Sequence, residues 1–107
     1  MNCCEIVFLN DALSDMSLAF EYLINVAKNP NAAKSLITDI QKKIEQIKTF
    51  PYFFPTDNDP ILETKGFRRA TVGSYVLFYV LRKDLNKVII VGVFHGKRDY
   101  AALLLNR

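Results

Sequence analysis

The chain has 107 residues, half of them apolar and 12% aromatic, with only four Gly and four Pro. That length is one ordinary domain, and the composition is that of a packed core and excludes disorder. The formal net charge of +3 hides an imbalance: residues 65 to 107 hold nine Lys or Arg against two acids, a formal +7, while residues 1 to 64 hold five against nine, −4. A basic half of this size stores repulsion that an anionic partner would relieve, either nucleic acid or an acidic protein segment.

No apolar run approaches the ~20 residues that cross a bilayer, and Glu5, Asn10 and Asp11 interrupt the N-terminal stretch, so neither a membrane anchor nor a signal peptide is expected. Cys3 and Cys4 are adjacent and on a strand would project to opposite faces, which suggests neither a conventional disulfide nor a metal site. A reducing, cytoplasmic setting without a cofactor is the expectation.

In chain order, the apolar run Cys4 to Leu9 predicts a strand ended by Asn10 and Asp11, and Asp11 is placed to cap a helix. Leu13, Met16, Phe20, Leu23, Ile24 and Ala27 then recur at spacings of three and four, a helical stripe ending near Asn29-Pro30. A second helix starts at Pro30, with Ala33, Leu36, Ile37, Ile40, Ile44 and Ile47 on one face, and packs on the first as a hairpin. Prolines in Phe50-Pro51-Tyr52-Phe53-Phe54-Pro55 stop it, and Thr56 to Pro60 reads as a polar turn region.

Three strands follow, Gly66 to Val72, Tyr75 to Arg82 and Val88 to His95, joined by a two-residue turn at Gly73-Ser74 and a longer one around Asp84 and Asn86. The last two are apolar at nearly every position, as in strands covered on both faces. A short helix over Asp99 to Leu105 closes the chain. The expected fold is a single α+β domain, residues 1–107: an N-terminal strand, a two-helix hairpin, a three-stranded antiparallel meander completing a small sheet, and a short C-terminal helix. The hairpin would cover one face of the sheet, and the other would form a groove into which cationic side chains from separate strands converge.

The Gly66-Phe67-Arg68-Arg69 strand, the Tyr75-Val76-Leu77-Phe78-Tyr79 strand and the ending Val93-Phe94-His95-Gly96-Lys97-Arg98-Asp99, in that order after a strand and two helices, resemble the RelE/ParE superfamily of bacterial toxins over nearly the whole chain. The resemblance implies the toxin of a type II toxin-antitoxin pair that inhibits growth and is neutralised by an antitoxin with a flexible tail. It also implies one of two activities: messenger RNA cleavage in the ribosomal A site, as in RelE-like members, or poisoning of DNA gyrase, as in ParE-like members. The final motif and the long helical hairpin are more similar to the ParE branch, which favours gyrase. A ribosome-dependent nuclease and an inactive binding module that keeps only the fold are the alternatives.

Cleaving RNA with its own 2′-hydroxyl needs a base for that hydroxyl, an acid for the leaving oxygen and cations on the phosphate. His95, the only histidine, together with Arg69, Tyr100 and Glu63 are the candidates for such a set. Arg68, Arg69, Arg82, Lys97 and Arg98 are the candidate contacts to an antitoxin or to nucleic acid, since guanidinium forks match phosphate and carboxylate geometry. Each has an ordinary structural role open to it as well. Arg68 and Arg69 are consecutive on a strand and point to opposite sides, so one faces the groove. His95 lies on the Ile89, Val91 and Val93 face unless a bulge intervenes near Gly92.

Overall fold

The computed structural model describes residues 4–96 and 98–107. Strand β1 (Glu5–Phe8) leads into α1 (Asn10–Glu21), which runs on as a single π-helical turn over Tyr22–Val26 before α2 (Pro30–Thr49). A short helix α3 (Pro60–Thr64) precedes β2 (Arg68–Val72), β3 (Tyr75–Arg82) and β4 (Lys87–His95), and α4 (Ala101–Leu105) follows. The sheet order is β1-β4-β3-β2. The meander is antiparallel as expected, while β1, which the helices separate from the meander in sequence, joins β4 in parallel.

Local chemistry sets most boundaries. Asn29 caps α2 by accepting from the Ala32 N–H at 3.1 Å, with Pro30 at the first helical position. At α1 the expected cap is displaced: Leu9 is the extended residue at the N-cap, and Asp11 lies inside the first turn, where its charge favours the helix dipole. Helix α3 was not foreseen. Asp59 caps it by accepting from the N–H groups of Ile61 and Leu62. Gly73 takes the positive φ that the tight β2-β3 turn requires, and Asn86 takes one at the β3-β4 turn.

The sheet carries a hydrophobic core on each face. On one, Leu77, Tyr79, Val88, Ile90 and Val93 pack against Ala12, Ala19, Leu36, Ile40 and Ile47 of the hairpin. On the other, Val76, Phe78, Val91 and Phe94 pack under Leu62 of α3 and Leu104 of α4. The second face is therefore covered where a groove was expected. The reason lies in the strands themselves: with Phe78 and Phe94 almost wholly buried there, an open groove would leave large aromatic surface in water.

A β-bulge decides which way the end of β4 faces. Tyr79 pairs with Ile90 and Phe78 with Gly92, so Val91 is an extra residue. Val88 and Ile90 face the helical hairpin, and past the bulge Val93 takes up that face in place of Gly92. Gly92 is required at this point because a Cβ there would sit 2.7 Å from Arg107 Nη1 and 2.8 Å from Phe94 Cε2. The polar groups around the bulge are satisfied by side chains: Val93 N–H donates to Asp15 Oδ2 at 3.1 Å, and Arg107 Nη1 donates to the Val91 carbonyl at 3.0 Å.

Candidate functional site

Strand alternation sends Arg68 and Arg69 to opposite faces, as expected. Arg69 pairs across the ladder with Phe78 and lies on the α4 side. Its Nη1 donates to Asp57 Oδ1 at 3.1 Å and to the Tyr100 hydroxyl at 3.0 Å, and its guanidinium stands 5.9 Å from the Phe78 ring centroid and 5.8 Å from that of Tyr100. Asp57 is 2% exposed, and its other oxygen accepts from the Asp59 N–H at 2.9 Å. The cluster borders a shallow concavity of about 350 Å3 lined by Asp59, Arg98, Asp99 and Ala101 among others. Much of the Arg69 charge is spent on a buried carboxylate, and what remains exposed faces this concavity.

His95 lies on the opposite face. The bulge near Gly92 turns it to the hairpin side, where its ring meets Tyr75 edge-on at 5.5 Å. It borders two adjoining concavities of about 400 and 440 Å3 that share Tyr22 and Tyr75. Burial, and secondarily Tyr22, pushes the Tyr75 hydroxyl above its ordinary range. Arg69 and Tyr100 are thus brought together, and His95 is not brought to them. Glu63 is exposed on α3.

Arg98 is exposed over the Phe94 ring at 5.7 Å and lines both the Arg69 concavity and one of the His95 concavities. Tyr100 occupies the N-cap of α4, so that helix begins at Ala101, two residues after the expected Asp99. Arg82 lies at the far end of β3, in a bidentate pair with Asp84 at 3.2 and 3.1 Å that holds that carboxyl below the usual range. Arg68 donates to the Phe54 carbonyl at 2.7 Å and stands over the Tyr52 ring. Lys97 lies outside the described residues.

The described cations therefore do not converge in one depression opposite the hairpin. Arg69 and Arg98 serve one end of the α4 side, while Arg82, with Lys83 and Lys87, borders a separate concavity of about 440 Å3 beside Tyr52. Strand alternation and the length of β3, roughly 25 Å from end to end, keep them apart.

Asp57 passed for part of a polar turn, although Asp before Pro-x-x-Glu (Asp59 to Glu63) signals a helix start and so a folded segment around it. Asp15 and Arg107 are 92 residues apart and have no local signal of their own. Among the described residues no group of three or more His, Cys, Asp and Glu could hold a metal ion, and no helix is long and apolar enough to cross a membrane.

Residues 6–100 match the family model described as the ParE toxin of the type II toxin-antitoxin system parDE. No curated protein matches the chain. Several solved structures share its fold, three of which are the following. A chromosomal ParDE toxin-antitoxin system from P. aeruginosa gives a TM-score of 0.67 at 12% identity, over 89% of this chain and 98% of that one. The RelBE2 toxin-antitoxin complex of Mycobacterium tuberculosis gives 0.61 at 16%, over 87% and 98%. A mutant of the E. coli toxin RelE in the free state gives 0.63 at 12%, over 97% and 92%.

Proposed function

The chain belongs to the ParE toxin family and is a toxin of a type II toxin-antitoxin system, and on that premise we propose that it arrests growth in the cytoplasm by poisoning DNA gyrase and is neutralised by an acidic antitoxin. The observation that carries this reading is the separation of His95 from Arg69 and Tyr100 by the sheet itself. A nuclease needs base, acid and phosphate-binding cations around a single phosphate. Here the only imidazole faces the helical hairpin, and the Arg69 and Tyr100 pair is tied to the buried Asp57. Poisoning by binding asks for no proton transfer, so that arrangement costs it nothing.

The antitoxin part rests on charge. Arg98, exposed between two concavities, belongs to the half that carries +7, and an acidic, amphipathic segment complements both the charge and the apolar lining supplied by Leu18, Tyr22 and Tyr75.

The test is direct: purified chain is added to gyrase and supercoiled plasmid, and the products are resolved after protein digestion. Accumulation of linear DNA is expected. Plasmid that stays supercoiled, with no linear product at saturating toxin, contradicts the proposal.

A further inference from the structure

The proline-bounded loop after α2 presents three rings to solvent, Phe50 at 57%, Tyr52 at 54% and Phe53 at 77% exposure. Cations from three separate elements stand over the rings of this loop: Lys43 of α2 over Phe54 at 5.1 Å, Arg68 of β2 over Tyr52 at 5.3 Å, and Lys83 of the β3-β4 turn over Tyr52 at 5.4 Å. Among the described residues no carboxylate forms a salt bridge with any of the three, whereas Arg82 and Lys87 beside them are paired with Asp84 and Glu5. The Phe54 and Pro51 carbonyls are engaged by Arg68 and by the buried Tyr79 hydroxyl, both at 2.7 Å, which pins the loop to the sheet. The concavity of about 440 Å3 next to Tyr52 carries Arg82, Lys83 and Lys87 on its wall.

Exposed rings fixed beside unneutralised cations combine two requirements for holding an unpaired strand of nucleic acid. Flat π faces receive unstacked bases, and the charges follow the phosphates. We propose that this surface, formed by Phe50, Tyr52 and Phe53 with Lys43, Arg68 and Lys83, docks single-stranded nucleic acid. The rings favour bases over an acidic peptide, since carboxylates would use the cations and leave three exposed aromatics without a flat partner. The surface lies apart from the Arg69, Tyr100 and Arg98 cluster, and the proposal does not depend on the gyrase reading.

The experiment is fluorescence anisotropy of a labelled oligothymidylate of about 12 nucleotides with the purified chain. Saturable binding is expected at low salt, with log affinity falling against log salt at a slope of about −2, as three neutralised phosphates give on a single strand. Tyr52→Ala and Lys83→Gln should each weaken it about tenfold, while Lys34→Gln, at an exposed cation near the start of α2, changes it less than about twofold. Phe53→Ser, at a position held by little packing, should weaken it without lowering the melting temperature. Binding that is absent at low salt, or unchanged in the Tyr52, Lys83 and Phe53 variants, overturns the proposal. So does a duplex of the same length that binds equally well, or a Glu-rich peptide that displaces the probe as effectively as unlabelled oligothymidylate.

Discussion

Arg107 and Asp15 form a bidentate ion pair, Nη1 to Oδ2 at 2.6 Å and Nη2 to Oδ1 at 3.0 Å, with both side chains about nine-tenths shielded from water. The pair does more than join two charges. Asp15 also accepts the Val93 N–H, Arg107 also donates to the Val91 carbonyl, and the guanidinium lies 4.9 Å from the Phe94 ring centroid. Hydrogen bonding to Asp15 holds the Arg107 proton more tightly than usual. Removing one partner strands the other in a largely dry site. Arg107→Ala is therefore expected to lower the unfolding free energy by about 3 kcal/mol, measured by urea denaturation, and a loss indistinguishable from zero would refute this role for the pair.

Gly92→Ala tests the same junction from the backbone side. Its methyl group would press on Arg107 Nη1 and the Phe94 ring, and the expected cost is about 2 kcal/mol in the same urea experiment. A variant as stable as the parent would mean that the bulge relaxes freely.

Tyr79 supplies a pH dependence. Burial pushes its hydroxyl from the ordinary value of 10.0 up to about 12, against a smaller lowering by Arg68. Since the folded chain holds this proton more tightly than the unfolded chain, the contribution is fully present below pH 10 and is lost as pH rises toward 12. Stability should fall across that window, and Tyr79→Phe should flatten the fall. At neutral pH the same variant loses the bond to the Pro51 carbonyl, at a cost of about 1 kcal/mol. Melting curves taken at several pH values read both effects, and an equally steep alkaline fall in the variant would exclude Tyr79 as its source.

Replacing the sole imidazole separates structure from chemistry. His95 is exposed and on the hairpin side, away from Arg69 and Tyr100. Under the gyrase reading, cells expressing His95→Ala should arrest as the parent chain makes them arrest. Full recovery of growth, with the variant folded and present at equal abundance, would point back to acid-base catalysis.

Arg98→Ala is expected to slow association with the antitoxin and to flatten the fall of the association rate with added salt, because an exposed rim charge acts mainly on encounter. Stopped-flow rates at several salt concentrations measure this. Unchanged rates would move the antitoxin contact elsewhere.

Most of the fold was legible because its signals are local. Strand β3 runs from Tyr75 to Arg82 as read, since Gly73-Ser74 and Asp84 bracket an unbroken apolar run, and Asn29-Pro30 marks where α2 begins. Helix α3 escaped because five residues are too few to show a period, and its cap at Asp59 was the only clue. The candidate site was legible in part. Alternation foretold that Arg68 and Arg69 would separate, and Gly92 flagged the bulge that carries His95 to the hairpin side. The partners that fix these groups, Asp57 for Arg69 and Asp15 for Arg107, are joined to them only by tertiary packing. The basic half read as one patch because charge summed along a chain does not record which face each strand presents.

The most direct test of gyrase poisoning is one preparation of the chain divided between two reactions, gyrase with supercoiled plasmid and translating ribosomes with a defined message. Protein-linked linear DNA in the first and an intact message in the second is the predicted result. Cleavage of the message at the ribosomal A site, with gyrase unaffected, would contradict it.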